Sequence, residues 1–204
     1  VTKTPSRNAD PAATDLRRAV MIVALLNLAY FGVEFAVALA IGSVSLLADS
    51  VDFLEDAFVN ILIVFALGWS AVNRAIAGML LAGILLLPAL ATLWMAVGKL
   101  LLLVAPSPVP LSLAGMGALA VNSACALILA KYRGHSGSLT RAAFLSARND
   151  MLANFAIIVA GFLTAATFSL WPDLIVGLGI AAINADAARE VWAAARDEHR
   201  EAVL

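Results

Sequence analysis

The chain has 204 residues, of which 63% are hydrophobic and only 13% charged, with a net charge of -1 and a mean hydropathy of +0.96. A soluble domain carries about twice that charged fraction, so a bilayer is the natural solvent, and the absence of a clustered excess of Lys and Arg excludes nucleic acid as a partner. The single cysteine, Cys125, lies in an apolar run, which rules out an internal disulfide and a Cys-rich metal site.

A helix needs about 20 apolar residues to cross the hydrocarbon core. Six segments meet that requirement: 19–41, 45–69, 75–98, 111–131, 142–168 and 172–193. The predicted fold is therefore all-α, a polytopic membrane protein with six transmembrane helices over 19–193. Residues 1–18 are polar, carry Pro5 and Pro11 and have no long apolar core, so they read as a flexible tail rather than a signal peptide. Pro88 is expected to kink the third span, and Pro106, Pro108 and Pro110 mark the loop after it. Residues 194–204 form a short tail or extend the sixth helix, too few for a core of their own.

Orientation follows from the basic residues, which stay on the cytoplasmic side of span ends. Lys3, Arg7, Arg17, Arg18, Arg74, Lys131, Arg133, Arg141, Arg148, Arg189, Arg196 and Arg200 all flank one side, and Lys99 alone falls on the other. Both termini are predicted cytoplasmic, as in an integral protein of a bacterial inner (plasma) membrane. His135, in a Gly/Ser loop, and His199, in the charged tail, read as exposed histidines outside the membrane.

A carboxylate at the centre of a membrane helix costs about 2.5 to 3.5 kcal/mol on the insertion scale, so its presence points to function. The second span reads Ala48-Asp49-Ser50-Val51-Asp52-Phe53-Leu54-Glu55-Asp56. Asp49, Asp52 and Asp56 share one helical face at i, i+3 and i+7. Such a stripe needs a cation, protons or basic partners to compensate it, and with no Lys or Arg in that span it points to an outside cation. Asp52 and Asp56 lie deepest; Asp49, nearer the outer end, caps or orients, and Glu55 is offset.

The fifth span supplies a second stripe, Ser146, Asp150 and Asn154, spaced by four. Two antiparallel registers fit. In one, Asp52 faces Asp150, Asp56 faces Ser146 and Asp49 faces Asn154; in the other, one turn away, Asp56 faces Asp150 and Asp52 faces Asn154. The ligands expected around a divalent metal are Asp52, Asp56 and Asp150, completed by Ser146, Asn154 or water. Asn27, Tyr30 and Glu34 share a face of the first span, and Asn122 with Ser123 interrupts the fourth. Glu34 and Asn27 read as supporting groups, and Asn184 and Asp186 as capping or solvated ones.

Taken together, Asn27-Leu-Ala-Tyr30 followed by Glu34, the run Gly42-Ser43-Val-Ser-Leu-Leu-Ala-Asp49-Ser50 leading to Asp52 and Asp56, and Asp150 in the fifth of six spans resemble the cation diffusion facilitator family. That family binds divalent metal through a D/H-xxx-D pair on each of its second and fifth helices. The resemblance implies Asp52 with Asp56 as the first pair and Ser146 with Asp150 as the second, Ser146 standing where His or Asp is common. It implies a cation efflux transporter, a zinc/proton antiporter working by alternating access, with no prosthetic group. Zn²⁺ is favoured by the family, while an all-oxygen donor set leans toward Mn²⁺ or Mg²⁺; Cd²⁺, Fe²⁺ and Co²⁺ stay open. The family's usual cytoplasmic C-terminal domain has no counterpart after the sixth span, so a homodimer is expected to form through membrane helices.

Three aspartates and one divalent ion leave the site one negative charge over, which a proton would neutralise, so metal and protons are expected to compete for the same oxygens. Two other classes compete with this reading. A non-transporting helical scaffold or accessory subunit predicts no metal binding. A metal-dependent phosphatidyltransferase requires Asp-Gly-xx-Ala-Arg and a later Gly-xxx-Asp-xxx-Asp, and neither occurs.

Overall fold

The computed structural model describes residues 11–66, 69–131 and 137–203. They form six helices and, among the described residues, no strand: α1 Pro11–Ile41, α2 Val44–Ala66, α3 Ala71–Leu102, α4 Pro108–Ala130, α5 Gly137–Thr167 and α6 Trp171–Val203. The protein is an all-α polytopic membrane protein, as its sequence predicts. Among the described residues, 14–41, 108–130 and 147–167 are long and apolar enough by composition to cross a bilayer unaided. In α2 the carboxylates Asp49, Asp52, Glu55 and Asp56 interrupt the apolar run.

Helix ends differ from the predicted spans where polar residues continue a helix beyond the apolar core. α1 begins at Pro11, so residues 11–18 belong to the helix rather than to a separate tail, and α6 runs on to Val203. Proline suits the start of α1 because the first helical N–H groups lack partners in any case. α3 is helical through Pro88. Pro108 opens α4 after the extended Ser107, and Ser70 caps α3 by accepting from the Asn73 amide at 3.3 Å.

α2 is the hub and touches each of the other five helices. α1, α2, α4 and α5 build one bundle, and α3 and α6 pair beside it, joined mainly through α2. Short connections at Gly42, Leu103–Ser107 and Phe168–Leu170 gather at the end opposite the termini, called here the far end. Gly42 adopts φ +64°, a left-handed conformation that glycine enters without steric cost. Gly177 lets α6 lie against the start of α2: a Cβ there would sit 2.6 Å from the Ser45 backbone nitrogen.

Two apolar clusters bracket a polar layer. On the far side, Ala38, Leu46, Leu47, Ala48, Leu111, Ala114, Ile157, Ile180 and Ala181 pack together. On the terminal side, Val20, Val23, Val64, Cys125, Ala126, Leu129 and Ala147 do the same. The sequence positions between them on α1, α2, α4 and α5 hold Asn27, Glu34, Asp49, Asp52, Asp56, Asn122, Asp150 and Asn154. The outward face carries Leu25, Val33, Leu39, Leu113, Leu127, Phe155 and Phe162, all strongly exposed, as lipid contact requires.

Candidate functional site

The polar layer exists because α2 and α5 cross with their polar stripes facing. Asn154 Nδ2 donates to Asp49 Oδ2 at 2.7 Å, and Asn122 Nδ2 donates to Asn154 Oδ1 at 3.1 Å. Those two bonds tie α2, α5 and α4 at one level. Asn154 and Asp49 facing each other belongs to the first of the two registers open from sequence. Asp150 nevertheless meets the carboxyl of Asp56, a contact belonging to the second, and it is also the carboxylate that bears most strongly on Asp52. Both hold at once because Cα–Cβ bonds tilt toward each helix's own N-terminus. In an antiparallel pair, Asp150 leans toward the terminal end and Asp56 toward the far end, so they converge although their Cα atoms are offset.

Asp52, Asp56 and Asp150 are partly exposed, whereas Glu34, Asp49 and Asn154 are fully buried. Carboxyls held this close repel unless a proton or a cation lies between them. Among the described residues, no three His, Cys, Asp or Glu side chains are assembled into a ready cage for a metal. The acids are grouped instead as pairs, Asp56 with Asp150 and Asp49 with Glu34.

The other residues singled out from sequence divide as follows. The side chain of Ser146 lies outside the described residues, as do His135 and the side chain of His199. Asn27 is buried, its Oδ1 accepting from Cys125 Sγ at 3.5 Å. Tyr30 donates to the Ala114 carbonyl at 2.6 Å and stacks at a tilt on Phe53, with centroids 5.0 Å apart. Asp186 is exposed. Asn184 is buried and donates to the Ala48 carbonyl at 3.3 Å, so it joins α6 to α2 rather than capping or facing solvent.

The chain matches the family model of the cation efflux transmembrane domain over residues 20–197. It belongs to the cation efflux family. No curated protein matches it significantly. As a cation efflux protein it is a transporter of metal cations, integral to a membrane, and the divalent ion is its cargo.

Sequence reasoning missed two residues of this cation efflux domain. Asn60 extends the α2 stripe by one turn beyond Asp56; it is buried, donates to the Asp56 carbonyl at 2.7 Å, and leaves its own Oδ1 without a donor. Its spacing of four from Asp56 was the available signal. Asp173 is fully buried at the start of α6 and accepts five hydrogen bonds, from Ser43 Oγ (2.6 Å), Val44 N (3.0 Å), Ser45 N (3.2 Å), Ser45 Oγ (2.6 Å) and Lys99 Nζ (2.7 Å). Lys99 Nζ also donates to the Gly42 carbonyl. Ser43 completes the N-cap of α2, its Oγ accepting from Leu46 N at 3.2 Å and its carbonyl from Leu47 N at 3.2 Å. All four amides at the start of α2 are thereby satisfied. The Gly42-Ser43-Val44-Ser45 run is thus the seat of a latch joining α2, α3 and α6 at the far end.

Proposed function

We propose that the chain exports a divalent metal cation, Zn²⁺ in first place, in exchange for protons, with Asp52, Asp56 and Asp150 as its ligands. The observation that carries this reading is the Asp56 and Asp150 contact beside Asp52, three carboxyls brought together between α2 and α5. A cation entering there replaces whatever proton holds the carboxyls together, and a returning proton expels the cation, so exchange needs no further machinery. Ser146, Asn154 or water completes the coordination. Asn154 already gives its amide to Asp49 and takes a bond from Asn122, which favours Ser146 or water as the fourth ligand and a positioning role for Asn154.

Zinc accepts carboxylate oxygens, and Mg²⁺ gives up its water reluctantly. Mn²⁺, Cd²⁺, Fe²⁺ and Co²⁺ are secondary cargo candidates. The basic residues flanking the terminal side support cytoplasmic termini, which makes the far end the exit. The latch at Asp173 and the far-side apolar cluster favour reading this arrangement as closed toward the exit, with rocking of helix groups opening it. A homodimer through membrane helices and a bacterial inner-membrane location complete the proposal.

The test is uptake into proteoliposomes across a panel of divalent ions, with and without a pH gradient, comparing the parent with Asp150→Ala. Zinc uptake driven by the gradient and abolished by the substitution supports the reading. Equal uptake by the variant, or no uptake of any ion, removes it.

A further inference from the structure

Glu34 is fully buried on α1, and neither of its carboxyl oxygens receives a hydrogen bond. Beside it lies Asp49 on α2, also fully buried, with Oδ1 likewise without a donor. The two carboxyls meet each other and have no ion-pair partner among the described residues. The buried ammonium of Lys99 is committed elsewhere, to Asp173 and the Gly42 carbonyl.

Asp49 is not loosely placed. Its Oδ2 is fixed by Asn154, which is fixed in turn by Asn122. This chain of two amides across three helices holds the carboxyl while leaving its other oxygen unspent. Two adjacent buried carboxyls whose Glu34 Oε1, Glu34 Oε2 and Asp49 Oδ1 meet nothing but each other are costly unless a cation or a shared proton compensates them. Two carboxylates and one divalent ion sum to zero charge, unlike three aspartates and one ion.

The depth is telling. Asp49 is three residues nearer the far end than Asp52, about 4.5 Å along a helix axis. Asn154 is four residues nearer it than Asp150 on α5. The Glu34 and Asp49 pair therefore lies one turn beyond the Asp52, Asp56 and Asp150 group, on the exit side of the proposed path.

We infer that Glu34 and Asp49 form a second divalent-cation site, one helical turn beyond the Asp52, Asp56 and Asp150 group, where an ion released from the first group is held before it leaves. The ligands are Glu34 Oε1 and Oε2 and Asp49 Oδ1, with water completing the shell, a hard all-oxygen set. The direction of travel rests on the transport reading; the existence of the site does not.

Equilibrium dialysis of the purified full chain against Zn²⁺ counts the sites, since Zn²⁺ binds N and O donors more tightly than Mn²⁺, Fe²⁺ or Co²⁺. The parent is expected to bind two Zn²⁺ per chain at saturation, and Glu34→Gln and Asp49→Asn one each. Glu34→Asp keeps the charge and is expected to restore the second ion with at least tenfold weaker affinity. Asp150→Ala is expected to lose the other ion and keep this one. A parent that saturates at one Zn²⁺, or a Glu34→Gln variant that still binds two, overturns the inference. A parent count of one overturns the inference even if a variant fails to fold, and Asp49→Asn and Glu34→Asp locate the second ion where Glu34→Gln does not fold. Failure of the transport reading gives a different pattern, with Asp150→Ala carrying zinc normally whatever the stoichiometry at Glu34.

Discussion

Asn154 on α5 donates through Nδ2 to Asp49 Oδ2 on α2 at 2.7 Å, and this single bond sets how the two acidic stripes face. It also leaves Asp49 dependent on a neighbour 105 residues away in the chain. Asn154→Leu removes the donor while keeping the volume near. Hydrogen bonds between membrane helices are worth about 0.6 kcal/mol on average and up to about 1.7, and this one involves a buried carboxyl, so a loss of about 1 to 2 kcal/mol is expected. Metal affinity should fall by about 10 to 100-fold, as for other groups that orient ligands. Thermal unfolding in detergent and zinc titration of the same sample check both figures.

The Lys99 and Asp173 ion pair, 2.7 Å long with both side chains buried, makes a prediction with a characteristic sign. Breaking one side of such a pair costs about 3 to 5 kcal/mol because a lone charge stays buried. Lys99→Met should therefore lower the melting temperature sharply. Lys99→Met combined with Asp173→Asn should recover much of that loss, since no uncompensated charge remains. A double-mutant cycle on the melting curves reads the coupling; additive effects would show that the two residues act independently.

Gly177 sits where a Cβ would meet the Ser45 amide nitrogen at 2.6 Å and the Val44 carbonyl carbon at 2.6 Å. The obstacle is backbone, which cannot rotate aside. Gly177→Val should destabilise by about 1 to 3 kcal/mol, the usual range for overpacking. Gly179→Val, with nothing within 4 Å of its added Cβ, is the control on the same helix and should melt within about 0.5 kcal/mol of the parent.

Acidification should weaken zinc binding. The metal needs ionised carboxylates, so each proton bound in the free site and released on metal binding lowers the apparent affinity by about tenfold per pH unit. With one proton displaced per ion, log affinity against pH has a slope near one on the acid side and flattens once the carboxylates are ionised in the free protein. Titrations between pH 5.5 and pH 8, roughly the range open to such a protein, measure that slope. A flat profile contradicts proton exchange at these oxygens.

Much of this architecture was legible in the residues because a bilayer leaves few options. Runs of about 20 apolar residues had to be helices, and six were found in the predicted order. The α2 stripe was legible for the same reason, since Asp49, Asp52 and Asp56 have no cheap reason to be in a membrane. What escaped reading depended on contacts between distant segments. Asp173 follows Trp171-Pro172 at a helix start, where an acid is ordinary, and nothing local reveals that it caps α2 and pairs with Lys99. Lys99 itself stood out only as the lone basic residue on the far side. The two registers of α2 against α5 differed by one turn, and helical spacing alone treats them alike; the tilt of Cβ atoms let Asp150 serve both Asp52 and Asp56. The start of α1 at Pro11 escaped because composition reports where the apolar core ends, not where the helix does, whereas the run of α6 on to Val203 was one of the two readings open for residues 194–204.

The most direct test of the central claim records zinc influx and proton efflux in the same proteoliposomes for the parent and for Asp52→Asn. The parent is expected to move zinc inward only as protons move outward, and to run faster as the opposing proton gradient is steepened. Asp52→Asn keeps the shape of the side chain and removes its charge, so both fluxes should fall at least a hundredfold, about 2.7 kcal/mol or more of lost stabilisation. An Asp52→Asn protein that carries zinc at the parental rate with its proton flux intact would contradict the account.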